Sequence, residues 1–256
     1  MHRIRVIPIL LLDNDSLYKT TNFKNPKYVG DPINAVKIFN NKEVDELILL
    51  DYTATNEDRI PNLDNIKEIV SEAFMPIGYG GGINSLDQIE KLFKIGIEKV
   101  ILNTTAFSNE NLLTDAIKIF GSQSVVVSID YKKDIFGNNV IFTQGGKLKQ
   151  KIDLISACKN FQEIGVGEIM INSIDREGVM NGYDISTINK INNELTIPLI
   201  ASGGAGKISH LADGFKAGAS AVAAGSMFIF QGKHKAVLLS YIKSDEVINY
   251  NKLTNV

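Results

Sequence analysis

Along the chain, short runs of β-branched and other apolar residues alternate with longer stretches in which apolar positions recur every three or four residues. The short runs are Arg3 to Leu12, Glu46 to Asp51, Pro76 to Gly80, Lys99 to Asn103, Ser124 to Asp130, Glu168 to Asn172, Ile197 to Ala201 and Ala219 to Ala224. Each predicts a strand, and each is followed by a segment of helical period. In Asn84 to Lys94, Leu86, Ile89, Leu92 and Phe93 make one apolar stripe, with Asn84 or Ser85 placed to cap the helix. Eight strand–helix units in 256 residues predict an α/β fold, a closed (β/α)8 TIM barrel forming a single domain over 1–256.

The pattern also repeats itself. Glu46 recurs as Glu168, an offset of 122 (168 − 46), and the same offset carries Pro76 to Pro198, Gly81-Gly82 to Gly203-Gly204, Gly96 to Gly218 and Thr104 to Ser226. A constant register over separate segments predicts two similar half-barrels. An open doubly wound sheet would place its glycines after the first strand, whereas here they follow the third and seventh. Between Tyr131 and Lys151, Gly-Asn-Asn and Gln-Gly-Gly predict a hairpin inserted after the fifth strand. The tail after Lys243 is expected to pack loosely.

Composition narrows the chemistry. With 27 basic against 29 acidic residues the chain lacks the electrostatic footprint of a nucleic-acid binder. No apolar run approaches the roughly 18 to 20 residues of a membrane span, and no leader with a small-residue cleavage site opens the sequence, so a cytoplasmic protein is expected. A single cysteine, Cys158, allows no internal disulfide, and His2, His210 and His234 are too scattered for a zinc site or a Ser–His pair. Catalysis must therefore draw on carboxylates, lysines and backbone groups.

Two glycine-rich segments, GYGGGI at Gly78 to Ile83 and ASGGAGK at Ala201 to Lys207, each lie between a strand and a helix. There, backbone N–H groups can approach an anion without a Cβ in the way, and the following helix adds a favourable dipole. Asn103 to Thr105 and Ala224 to Ser226, each one strand further on, offer partners, so two matched phosphate cups are expected; the same glycines would also suit tight turns. Asp130 closes the fifth strand at the end where barrel chemistry gathers and is the candidate general acid or base. Asp51 and Asp175, at other strand ends, suit capping or turn roles better. At the opposite end, Arg5, Glu46, Lys99 and Glu168 start strands one, two, four and six, and charges at one level inside a barrel predict a ring of ion pairs across its floor, either a structural plug or a gate.

With these residues in view, TNFKNPKYVGDP at Thr21 to Pro32, ELILLDYTA at Glu46 to Ala54, FGSQSVVVSID at Phe120 to Asp130, INSIDREGVMNGYD at Ile171 to Asp184 and IASGGAGK at Ile200 to Lys207 resemble the cyclase subunit (HisF) of imidazole glycerol phosphate synthase over essentially the full length. The resemblance implies a HisH-like glutaminase bound to the barrel floor as a heterodimer, with ammonia passing through a charged gate to a bisphosphorylated substrate at the mouth. Products would be imidazole glycerol phosphate and an aminoimidazole carboxamide ribotide. It makes Arg5, Glu46, Lys99 and Glu168 the gate, gives Asp130 an acid/base role, and puts Lys19 on a mobile substrate loop. One phosphate falls to Gly82, Asn103 and Thr104, the other to Gly178, Gly204, Gly225 and Ser226, with Glu177 also at the substrate. No metal or organic cofactor is implied.

Three positions depart from that pattern. Leu11 stands where the family carries a catalytic aspartate, Glu177 replaces an aspartate, and Gly78 replaces a threonine. Leucine cannot transfer a proton, and Asp13, on the same strand face, lies about 6.6 Å further along. RVIPILLL, KYVGDPINA and the late GKHKAVL are similar instead to a paralogous branch that accompanies a sugar amidotransferase in surface-polysaccharide pathways, where barrel and glutaminase supply ammonia for amidination of a sugar held by a third protein. Histidine-pathway cyclisation, and a scaffold that only activates its glutaminase, are the alternatives.

Overall fold

The computed structural model describes residues 4–254; the expected strand start at Arg3, and His2, lie outside them. Eight parallel strands form the wall: β1 (Arg5–Asp13), β2 (Leu47–Asp51), β3 (Ile77–Gly80), β4 (Lys99–Leu102), β5 (Val125–Lys133), β6 (Glu168–Ser173), β7 (Leu199–Ser202) and β8 (Ala221–Ala224). Each pairs with the next, and β8 pairs in parallel with β1, Arg5 opposite Ala221 and Pro8 opposite Ala224, so the sheet closes on itself. The result is the (β/α)8 barrel, with strand limits within about three residues of the sequence-predicted ones.

Alternation along β1 separates two cores. Ile7, Ile9 and Leu11 point inward and join Ile48, Ile101, Val126, Met170 and Ile200 inside the barrel. Val6, Leu10 and Leu12 point outward and pack under the helices with Leu47, Leu49 and Val127. This is what a strand with both faces buried demands: period-2 side chains that are all apolar.

The helices start on local signals. Asp31, Asn62, Ser85, Asn109, Asp153 and Asp184 each cap a helix through a side-chain oxygen that accepts from the third residue on. Of the two cap candidates before Leu86–Lys94, Ser85 holds the role.

Two excursions rise above the strand C-terminal ends, after β1 and β5, half a barrel apart. The first is a hairpin of Ser16–Thr21 and Lys24–Gly30; the second, at the place the turn signals indicate, pairs the end of β5 with Asn139–Thr143 and then Leu148–Asp153. Their tips approach each other, Phe23 lying beside Gly146.

The tail differs from its expectation. Ser244–Thr254 is a helix with Val247 fully buried against the core, and Tyr250 packs beside it. Just before it, Tyr241 donates from its hydroxyl to the Val6 carbonyl at 2.9 Å, and the Val6 amide donates to Asp45 at 3.1 Å, pinning β1 at its base. Among the described residues of this helix, Val247 and Tyr250 carry the contact, too few to register as a periodic stripe in a polar stretch.

Candidate functional site

A cavity of about 440 Å³ opens at the C-terminal ends of the strands. The structure brings Lys19, Gly82, Asn103, Thr104, Asp130, Glu177, Gly178, Gly204, Gly225 and Ser226 together around it, every mouth residue singled out in the sequence. They come from the hairpin after β1 and from the ends of six strands, β3 to β8, so only barrel closure could gather them.

Asp130 is buried and meets no cation. Asn103 donates from Nδ2 to one carboxylate oxygen at 3.2 Å and Asn172 donates from Nδ2 to the other at 3.0 Å. Desolvation pushes its pKa up to about 7; the Glu177 carboxylate pushes the same way, and the Asn172 hydrogen bond opposes both. A carboxyl poised near neutrality can both give and take a proton at working pH. Asn172, missed in the sequence, lies one residue before the end of β6 in register with Asp130, so the neighbouring strand ends held the signal.

Across the cavity the wall is apolar. Leu11, Leu50 and Tyr52 line it above Ile9 and Ile101. Asp13 does not take the place of Leu11: it turns to the Thr53 hydroxyl, which donates to it at 3.1 Å, and stays outside the cavity lining. Asp51, at the end of β2, is held by Arg59 at 3.0 Å and accepts from the Ala54 amide at 3.0 Å, while Asp175 accepts from the Lys133 amide at 2.8 Å. Asp51 has the turn role its position suggests, while also lining the cavity; Asp175 instead ties the loop after β6 to β5. Arg59, in the loop beyond β2, carried no sequence signal.

Lys19 sits on a strand of the first hairpin and bonds Glu177 at 2.9 Å, both side chains buried. Thr20 donates to the other Glu177 oxygen at 3.0 Å, and the Asn22 amide donates to the Glu177 carbonyl at 2.9 Å, docking this hairpin on the loop after β6. One Glu177 carboxylate thus reaches both partners. Gly225 makes room for this arrangement, since a Cβ there would lie 2.2 Å from the Lys19 ammonium nitrogen.

The two cups have matching construction. Asn103 and Gly225 each precede a short helix, Thr104–Ser108 and Ser226–Ile229, that lacks a side-chain cap bond. Gly82 and Gly204 both take positive φ, +70° and +117°. A Cβ on Gly82 would fall 2.4 Å from the Arg59 carbonyl oxygen and one on Gly204 2.2 Å from that of Gly182. Tight backbone packing therefore demands glycine at both positions whatever the cup holds.

At the other end of the barrel, Arg5, Glu46, Lys99 and Glu168 form a closed ring. Arg5 donates to Glu46 at 2.6 Å and to Glu168 at 2.6 Å; Lys99 donates to Glu46 at 3.0 Å and to Glu168 at 2.8 Å. Burial works against charge on both, yet the pairs prevail: Glu168 is held below the usual carboxylate range by Arg5 and Lys99, and Arg5 is raised by Glu168 and Glu46. Along β1, Ile7 stands between this ring and the cavity, whose lining reaches down only as far as Ile9, Ile101 and Met170.

Among the described residues no helix is long and apolar enough to cross a membrane. The family model described as histidine biosynthesis protein matches residues 5–235. A Pseudomonas aeruginosa protein provisionally named imidazole glycerol phosphate synthase subunit hisF2 is 51% identical over 94% of this chain and 96% of its own length. One from Vibrio vulnificus, provisionally named subunit hisF3 of the same synthase, is 45% identical over 96% of this chain and 95% of its own. The Campylobacter concisus imidazole glycerol phosphate synthase subunit HisF is 40% identical over 95% and 96% respectively. A barrel with this mouth and this floor, matched along nearly its whole length, belongs to the histidine biosynthesis protein family, among the HisF-type subunits of imidazole glycerol phosphate synthase.

Proposed function

We propose that this barrel receives ammonia from a HisH-like glutaminase docked on its floor as a heterodimer and delivers it to the mouth. Arg5, Glu46, Lys99 and Glu168 act as the gate. The observation that carries this reading is the ion-pair ring itself: four charges placed across the barrel axis, at the end opposite the cavity. A ring that only stabilised the floor could be apolar at little cost, so charge at all four positions fits a device that opens. Because Ile7 lies between ring and cavity, passage requires the ring to open and the apolar layer to yield. A neutral, small nucleophile crosses such a layer far more readily than an ion.

The mouth supports a diverged end use. With Leu11 apolar, Asp130 is the one mouth carboxyl among the described residues without a cation partner, since Glu177 is tied to Lys19 and Asp51 and Glu57 to Arg59. Cyclisation with two proton-transferring groups then lacks one of them, which typically costs about 10² to 10⁴ in rate. The ammonia serves instead the amidination of a sugar held by a third protein, a sugar amidotransferase of surface-polysaccharide synthesis, while the cups at Gly82, Asn103 and Thr104 and at Gly178, Gly204, Gly225 and Ser226 keep the capacity to hold a phosphorylated ligand. A second reading, formation of imidazole glycerol phosphate itself, is favoured by the retention of both cups around one cavity with Asp130 poised near 7.

The test supplies ammonium salt at high pH together with the bisphosphorylated aminoimidazole nucleotide, bypassing any glutaminase. The expected outcome is no imidazole glycerol phosphate from the unaltered protein and a measurable amount from Leu11→Asp. Robust turnover by the unaltered protein overturns the diverged reading in favour of the second.

A further inference from the structure

Exposed apolar side chains are spread unevenly over this barrel. Among the described residues fourteen large ones are exposed, and nine of these lie in the hairpins, loops and helix start around the mouth. Single exposed apolar residues are ordinary, but two of the nine are neighbours at one tip. Ile135 is 93% and Phe136 82% exposed, in the turn that joins the end of β5 to Asn139–Thr143. The mouth chemistry uses neither residue, and neither lines the cavity.

The tip is held in place. One Asp134 carboxylate oxygen accepts from the Phe136 amide at 2.9 Å and the Asn138 amide at 2.8 Å, and the other accepts from Asn138 Nδ2 at 3.2 Å. The Gly137 amide donates to the Asp134 carbonyl at 3.0 Å, and the Asp134 amide to that of Asn138 at 2.9 Å. Below the turn, Lys133 bonds Asp184 at 3.2 Å and Asn139 donates to the Thr187 hydroxyl at 2.9 Å, tying the hairpin to the start of the helix Ile185–Asn192. Side chains displayed on so constrained a backbone lose little freedom when a partner covers them, which is what a docking anchor requires.

What covers the tip follows from charge and place. From Tyr131 to Asp153 the hairpin carries five lysines and two aspartates, and both aspartates are spent internally, Asp134 in the turn and Asp153 capping Leu154–Ile164. A second copy docking by two-fold symmetry through this tip would set one lysine-rich hairpin against another. The tip also rises beside the cavity to which ammonia is delivered, so a body docked on it overhangs the mouth, and a lipid surface has no group to receive the ammonia. We propose that Ile135 and Phe136 anchor the ammonia-receiving sugar amidotransferase over the mouth, its face offering an apolar socket to the tip and carboxylates to the lysines. This inference rests on the reading that ammonia leaves the barrel for a third protein.

The experiment measures, by biolayer interferometry, how the full-length barrel in complex with its glutaminase binds the purified sugar amidotransferase of the surface-polysaccharide pathway. Three barrels are compared: unaltered, Ile135→Ser/Phe136→Ser, and Leu253→Ser, which removes an exposed apolar residue from the C-terminal helix. Saturable binding, weakened at least tenfold by the tip change and by raised salt but not by Leu253→Ser, is the expected result, with glutaminase binding untouched by the tip change. Amidotransferase binding indifferent to the tip change, or no binding at high micromolar protein, overturns the docking assignment. So does a dimer of the barrel alone that the tip change dissociates, which would give the tip to a second copy. Tip-dependent sedimentation with phosphatidylglycerol vesicles in place of amidotransferase binding would give it to a membrane, with the same consequence. Circular dichroism of each variant separates loss of binding from loss of fold. The reading beneath the proposal fails separately, through robust imidazole glycerol phosphate formation in the ammonium-driven assay, whatever the tip binds.

Discussion

The floor and the mouth of this barrel both bury carboxylates, and they treat them oppositely. On the floor, Glu46 and Glu168 each meet two cations, so Glu168 stays ionised despite burial. In the mouth, Asp130 meets only two amide donors, and burial lifts its pKa to about 7. The lesson is that burial alone does not set a charge state; the partner does. A fully paired group is fixed and can change only if the ring opens, whereas an under-paired one is ready to exchange a proton.

The largest test of that contrast is Asp130→Asn. Because the folded pKa of Asp130 lies above its ordinary value of 3.8, its favourable contribution is present below about pH 4 and is lost as pH rises toward 7. The amide keeps the shape without the charge, so at pH 8 the variant should be more stable than the unaltered protein by a few kcal/mol, on the order of 4 at most, and the difference should shrink toward pH 4. Urea unfolding at several pH values checks this, and a difference independent of pH would mean Asp130 is not held as described.

Next in size is Lys99→Met on the floor. Glu46 and Glu168 would keep only Arg5, and removing one partner from a buried pair typically costs about 3–5 kcal/mol; with Lys99 16% exposed, about 2 is expected. Adding Glu46→Gln should recover part of that loss by restoring charge balance, which thermal unfolding of single and double variants would reveal. Under the proposed function the same change abolishes glutamine-driven amidination of the sugar by the complete pathway while leaving its ammonium-driven amidination intact.

Smallest is Glu177→Asp, which shortens the arm that reaches both Lys19 and Thr20. A loss of about 1 kcal/mol is expected, together with faster proteolysis within the hairpin Ser16–Gly30, because that hairpin is docked through this carboxylate. Unchanged proteolysis would show that the hairpin is held by other contacts, such as those of Asn22.

Much of the architecture is legible in the order of residues. Period-2 apolar runs and Asx or Ser caps act within a few residues, so strands and helix starts can be read locally, and the 122-residue offset points to matched cups after β3 and β7. The ring residues can be placed at one level because each opens, or directly precedes, a strand. Less is readable where the cause is not local. Val247 and Tyr250 dock a polar tail through two side chains, Arg59 reaches Asp51 from a loop with no motif, and Asp13, on the expected face of β1, turns to Thr53 instead of the cavity.

What the sequence determined by itself, then, was the order of elements, the closed parallel barrel, and which residue types stand at each end of each strand, since these follow from side-chain period and backbone propensity along the chain. Barrel closure, and not chain order, brings Arg5 to Glu168 163 positions away, leaves Asp130 without a cation among the described residues, and lays Lys27 against Lys235. Electrostatic state depends on which charges come within a few ångströms and how much water remains between them, and chain closure fixes both.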